Sequence, residues 1–152
     1  MVCGLILFAP VMLILAALIK ILMGGNVVFS QLRPGKGGEL FRMYKFRTMV
    51  PENPRKKLSD EQRITPLGRW LRATSLDELP QFINVLLGEM SVVGPRPHMI
   101  KHTEEFSEHY KEYFVRHFVK PGITGWAQVH NLRGEITNVE LLHKRTEYDL
   151  WY

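Results

Sequence analysis

From Val2 to Ile19, eighteen consecutive residues carry neither a charge nor a strongly polar side chain, and Lys20 is the first to interrupt them. As a helix rising about 1.5 Å per residue the run spans ~27 Å, close to the ~30 Å hydrocarbon thickness of a bilayer. A signal peptide would carry positive charge ahead of its apolar stretch and a small-residue cleavage site behind it. Here no charge precedes the run and a lysine follows it, so residues 1–23 read as a retained membrane segment. Pro10 stands in the middle. Its missing N–H and its ring disrupt the preceding helical turn, so a bend is expected there. Two halves of about nine residues could enter and leave one leaflet, and a proline-kinked crossing helix fits the same residues equally well, because hydropathy does not distinguish the two.

Beyond Gly24-Gly25 the pattern changes. VVFSQLR and ELFRMYKFRTM are β-prone runs joined by PGKGG, which predicts a hairpin. On the second run Phe41, Met43, Lys45 and Arg47 share one face. Lys45 and Arg47 read either as charges protecting an edge strand or as anion-facing groups near the membrane segment. The charged, proline-containing stretch 51–63 is expected to be a mobile surface loop. Thr65-Pro66 predicts a helix start, with Leu67, Trp70 and Leu71 as its apolar stripe and Arg69 and Arg72 as neighbours. A second helix is expected from about Leu76 to Leu87, with Ser75 and Glu78 as its capping box and Gly88 as its stop; Pro80 is awkward for that register. SVVGPRP, 91–97, reads as a rigid turn around Arg96. Residues 103–119 carry an aromatic stripe of Phe106, Tyr110, Tyr113, Phe114 and Phe118, expected to be mostly core. Pro121-Gly122 ends it, GITGWAQVHNLRGE is irregular or strand-like, and a last helix begins near Asn138.

With 152 residues the chain is long enough for one modest core, and 20 basic against 15 acidic residues give a formal charge of +5. That excess favours polyanionic partners. The aromatics are not interleaved with basic residues, which argues against nucleic acid. A single cysteine excludes an intrachain disulfide framework. His98 and His102 have helical i,i+4 spacing but no third ligand arranged around them, so zinc is disfavoured. A hard cation on carboxylate oxygens fits better, since Mg²⁺ takes one or two carboxylates and completes its shell with water and phosphate.

Asp77 and Glu78 are the adjacent acids on which that chemistry turns. Taken alone, each could simply complement a helix dipole, contributing about 0.3–1 kcal/mol. Their surroundings include Arg69, Arg72 and Arg96, with Lys45 and Arg47 on the hairpin, and no Walker A or dinucleotide-type glycine motif offers another phosphate cradle. Carboxylates beside cations suit phosphoryl transfer, with an aspartate as nucleophile and arginines stabilising charge on the transferred oxygens. A helix N-terminus would then keep Asp77 ionised. The competing reading is a non-catalytic membrane-surface module whose basic face holds anionic lipid or a partner enzyme.

KFRTM, LRATSLDELPQFINVLLGEMSVVGPRP and VKPGITGWAQV resemble the bacterial sugar transferases, the monotopic polyprenyl-phosphate phosphoglycosyl transferases. The resemblance implies an α+β architecture, with an N-terminal re-entrant membrane helix, 1–23, bent at Pro10, and a small, mostly helical catalytic domain, 24–152, containing a β-hairpin. It implies transfer of a sugar 1-phosphate from a UDP-sugar to undecaprenyl phosphate with Mg²⁺, at the cytoplasmic face of the bacterial inner membrane, in exopolysaccharide or lipopolysaccharide assembly. Asp77 matches the nucleophile and Glu78 its acidic partner, the two also holding the metal. Arg72 and Arg96, with Lys45 and Arg47, fall on the phosphate side; Gln128 and Arg133 fall on the nucleotide side. The segment around Gln128 is similar to that of members that transfer glucose 1-phosphate. Ala9-Pro10 stands where members often carry Ser-Pro, and His130-Asn131 where Asn-Gly is common. Members continue past the position of Tyr152, so the domain is read as truncated there. Homo-oligomer formation is left open.

Overall fold

The computed structural model describes residues 2–52, 56, 58–100, 103, 111–132, 134, 136 and 138–151, with side chains inside the first helix described from Phe8 onward. It is a small α+β structure whose backbone falls into two compact units, Met1–Ser30 with Tyr44–Gln81, and Gln31–Met43 with Phe82–Tyr152. The hairpin runs through both. Its strands β1 (Val28–Pro34) and β2 (Leu40–Phe46) pair as a two-stranded sheet, closed by a 3-10 turn at Lys36–Gly38 within the expected glycine-rich loop.

In the first unit, α1 (Val2–Met23) is one helix with Pro10 inside it. Leu15 and Ile19, one turn apart, are buried, whereas Leu13 is 71% and Ile21 78% exposed. From Phe8 onward the helix thus buries a single stripe and leaves Val11, Leu13, Ile14, Leu18, Ile21 and Leu22 exposed. Among the described residues no helix is long and apolar enough to cross a membrane. Two consecutive left-handed glycines, Gly24 and Gly25, both at φ 61°, end α1, and Lys20 Nζ donates to the Gly25 carbonyl at 3.1 Å.

The end of the stretch 51–63, expected to be a mobile loop, is a short capped helix. Ser59 and Gln62 form a reciprocal capping box on α2 (Asp60–Arg63), and Met49 bridges to Ile64. The next helix, α3 (Pro66–Ala73), starts as expected: the Thr65 hydroxyl accepts from Gly68 N at 3.0 Å, with Pro66 in the first helical position. Its buried face is Gly68 and Leu71, while Trp70 lies half exposed. Gly68 sits so close to the chain at Thr48 that a Cβ there would overlap the Thr48 carbonyl oxygen.

The expected helix over 76–87 is instead two pieces. A 3-10 turn holds Leu76–Glu78, and α4 (Gln81–Leu86) begins only after Pro80. Proline has no N–H to return to the preceding turn, so one continuous helix would lose a bond where it needs one. The Ser75–Glu78 capping box does not form. Ser75 takes the left-handed conformation, φ 59°, and makes no side-chain cap. Gly88, at φ 79°, follows α4 as the stop.

In the second unit Phe41, Met43, Val85 and Met90 form a core against which Ile123 packs. SVV is a strand rather than part of a turn: β3 (Ser91–Val93) pairs in parallel with β4 (Gly122–Thr124), Ser91 opposite Gly122 and Val93 opposite Thr124. Beyond β4 come α5 (Trp126–Val129) and α6 (Val139–Leu150), the latter capped by the Asn138 side chain accepting from Leu141 N at 2.7 Å. Residues Lys111–Phe118 form a 3-10 helix. Of the aromatic stripe, Tyr113 is fully buried but Phe114 and Phe118 are exposed; Phe106 and Tyr110 lie outside the described residues. Tyr113 is held by a polar cluster, not an apolar one. Arg116 Nη2 pairs with Asp149 Oδ2 at 2.7 Å, Arg116 Nη1 donates to Tyr113 Oη at 3.0 Å, and the same Nη1 lies 2.6 Å from His98 Nδ1. Burial, then the fields of Arg116, Arg145, Arg96 and Arg33, hold the His98 imidazole neutral well below its ordinary pKa.

Candidate active site

The first unit brings together Asp77, Glu78, Lys45 and Arg72, and it also contains Arg47. Two local features aim the acids inward. The α3 helix ends at Thr74, whose hydroxyl donates to the Trp70 carbonyl at 2.9 Å, and Ser75 N returns to Arg72 O at 3.2 Å. The left-handed Ser75 then reverses the chain, a post-helix role usually taken by glycine. The turn that follows, closed by Glu78 N on Ser75 O at 3.1 Å, carries Asp77 and Glu78 into the interior, at 6% and 5% exposure.

Lys45 reaches this pair from β2, its Nζ 3.0 Å from Glu78 Oε1. Asp77 Oδ1 is buried without a hydrogen-bond partner. Burial pushes the Asp77 carboxyl above the usual carboxylate range, and the charge of Glu78 adds to that; Lys45, Arg72 and a backbone hydrogen bond pull it back. The helix N-terminus expected to favour the ionised Asp77 is absent here. A three-residue 3-10 turn offers little dipole, and desolvation is the larger effect.

Arg72 is exposed, and its Nε donates to Thr48 Oγ1 at 2.9 Å. Arg47 is directed elsewhere: its Nη2 donates to the Met23 carbonyl at 3.1 Å and to the Gly24 carbonyl. It thereby satisfies main-chain oxygens left over where α1 ends. Lys45 on β2 and Arg47 just beyond its end, two positions apart, serve the acid pair and the end of α1 respectively.

Arg96, Gln128 and Arg133 belong to the second unit by residue range. Arg96 lines a small cavity with Pro34, Gly35, Arg116 and His117, and its carbonyl accepts from Arg116 Nη2 at 2.6 Å. Gln128 on α5 donates to the Ile123 carbonyl at 3.2 Å, while its Oε1 is buried without a partner. Arg133 lies outside the described residues. Thr48 was not singled out by the sequence, although KFRTM contains it; a hydroxyl in a basic strand gives no signal until the fold shows what it touches.

Among the described residues no group of three or more His, Cys, Asp or Glu could hold a metal ion. The acids do fit the sparser Mg²⁺ pattern, in which one or two carboxylates suffice and substrate phosphate completes the shell. Asp77 supplies a buried acceptor that nothing else engages.

The family model described as bacterial sugar transferase matches residues 1–152. A UDP-glucose:undecaprenyl-phosphate glucose-1-phosphate transferase of Klebsiella pneumoniae is 49% identical over 152 residues, covering 97% of this chain and 33% of that protein. One of the same name from Caulobacter vibrioides is 45% identical over 151 residues, covering 96% of this chain and 56% of that protein. An Aeromonas hydrophila protein named UDP-N-acetylgalactosamine-undecaprenyl-phosphate N-acetylgalactosaminephosphotransferase is 41% identical over 150 residues, covering 96% and 35% respectively. The chain thus spans about a third to just over half the length of these relatives.

Proposed function

The chain belongs to the bacterial sugar transferase family, and from that premise we propose that it transfers a sugar 1-phosphate from a UDP-sugar to undecaprenyl phosphate in polysaccharide assembly. The observation that carries the reading is the acid pair itself. Asp77 has a buried oxygen without a partner, beside a Glu78 held by Lys45 and within the field of Arg72.

The reaction proceeds in two displacements. An Asp77 carboxylate oxygen bonds to the sugar-bearing phosphorus of the donor; the bond from that phosphorus to the bridging oxygen breaks, and UMP leaves with the electron pair. A phosphate oxygen of undecaprenyl phosphate then attacks the same phosphorus. The aspartyl oxygen–phosphorus bond breaks, which regenerates the carboxylate and leaves a diphosphate-linked sugar on the lipid. Burial raises the Asp77 pKa, and the charges of Lys45 and Arg72 oppose that rise and so favour the nucleophilic carboxylate. Arg72 also offers charge to the oxygens of the transferred group. Asp77 and Glu78 would hold Mg²⁺, which when bound offsets charge on the diphosphate.

The acceptor phosphate lies at headgroup level, so the acids must work near the membrane surface. The uncovered apolar surface of α1 suits insertion into the cytoplasmic leaflet. Pro10 bends such a helix without ending it, so that both ends return to the cytoplasmic side. Arg47, bonded to the last carbonyls of α1, ties the helix to the strand that carries Lys45.

The test is incubation of purified protein with a panel of UDP-sugars and undecaprenyl phosphate, with Mg²⁺ present or chelated, following UMP and lipid-linked sugar. Mg²⁺-dependent release of UMP with matching lipid product is expected. Lipid binding that falls with salt, without UMP from any donor, would overturn the reading in favour of a non-catalytic surface module.

A further inference from the structure

Thr48 is buried, and its two oxygens do separate work. The main-chain carbonyl accepts from Thr65 N at 3.1 Å and from Thr65 Oγ1 at 3.3 Å, and Gly68 packs against it. The side-chain hydroxyl accepts from Arg72 Nε at 2.9 Å. A guanidinium can meet a phosphoryl group along its Nε–Nη edge or through its two terminal nitrogens. Here Thr48 occupies Nε, and Arg72 shows no hydrogen bond from either Nη among the described residues. The two terminal nitrogens are therefore left for a ligand, and the charge of Arg72 is felt at Asp77, whose pKa it lowers.

Resting on the proposed transfer reaction, we infer that Thr48 is a positioning residue. Its hydroxyl fixes the Arg72 side chain so that both terminal nitrogens face the phosphoryl group being transferred. An exposed arginine loses rotamer entropy on binding a ligand, and one bond fixed in advance removes part of that loss. The sequence supports the economy of the arrangement. Thr48 follows Lys45 and Arg47 at the end of β2, so one short segment serves Glu78, the end of α1 and Arg72 in turn.

The separation of roles makes the inference testable. Thr48→Val keeps the shape and the carbonyl contacts with Thr65 and removes only the acceptor for Arg72. Thr48→Ser keeps the acceptor. Losing a hydrogen bond to a charged group should lower kcat/KM for the UDP-sugar by roughly tenfold or more in Thr48→Val, with Thr48→Ser within about threefold of wild type. The melting temperature should stay near wild type in both, since Arg72 is exposed and water replaces the bond. In the Arg72→Met background Thr48→Val should cause no further loss, because the residue it positions is gone. A full additional loss in that background, or wild-type kcat/KM in Thr48→Val, would overturn the inference. A wild-type protein that releases no UMP would instead count against the transfer reaction itself, so the two failures are distinguishable.

Discussion

Lys45 Nζ stands 3.0 Å from Glu78 Oε1, and through this ion pair a cation from β2 is held against the neighbour of Asp77. Burial is the largest influence raising the Asp77 pKa, and Lys45 is the largest opposing one. Removing the lysine charge therefore raises that pKa further. In the proposed reaction the ionised carboxylate is the nucleophile, so the acid limb of kcat/KM against pH should move to higher pH in Lys45→Met and stay near wild type in Lys45→Arg. An unshifted limb in Lys45→Met would mean that the limb does not report Asp77.

Asp77→Asn should abolish UMP release without lowering the melting temperature at neutral pH. The sign follows from the raised pKa. Asp77 adds to stability below its ordinary pKa, and that contribution is lost as pH rises through the folded-state value. At neutral pH the ionised group is thus a burden on the folded state, which asparagine lifts. Thermal melts of both proteins at pH 7 check the stability, and a donor-only UMP assay checks the chemistry.

Gly68→Ala should destabilise the protein even though alanine is the better helix former by about 1 kcal/mol. The added Cβ would overlap the Thr48 carbonyl oxygen, which is main chain and has no rotamer to change. Overpacking of this kind costs about 1–3 kcal/mol, measurable as a lower denaturant midpoint. A stabilised Gly68→Ala would show that α3 and the chain at Thr48 can separate freely.

Arg116→Met should be among the most damaging substitutions in the second unit. It leaves Asp149, 4% exposed, buried without its guanidinium partner. Breaking a buried pair from one side costs about 3–5 kcal/mol, whereas replacing both members by apolar residues is often close to neutral. The double variant Arg116→Met, Asp149→Leu should accordingly recover most of the loss in urea unfolding.

On the proposed re-entrant topology, with the N-terminus on the cytoplasmic side, a tag ahead of Met1 should be protected from a membrane-impermeant reagent in intact cells. Pro10→Ala removes the bend and should shift the tag outward. Labelling of the tag in the unaltered protein would mean that α1 crosses the membrane.

Features written into neighbouring residues were legible before any coordinates. The apolar run gave α1, PGKGG the closure of the hairpin, Thr65-Pro66 and Asn138 two helix starts, and Asp77-Glu78 the acid pair. Each depends on bonds closed within a few positions, where spacing alone fixes the partners. Other local readings failed: SVV is a strand and not part of a turn, and the helix expected over 76–87 and its capping box at Ser75 do not form, because Pro80 and the end of α3 compete for the same short segment and the left-handed turn prevails.

What only the tertiary structure decided is which distant groups these elements serve. Lys45 meets Glu78 across 33 positions, Arg72 meets Thr48 across 24, and Arg116 meets Asp149 across 33. From sequence, Lys45 and Arg47 were equivalent cations on one face of a strand. In the fold one is committed to the acid pair and the other to the end of α1. A charged side chain carries no local mark of its partner, since many partners would satisfy it. The choice is made when packing brings one of them within hydrogen-bond reach and takes water away from the rest.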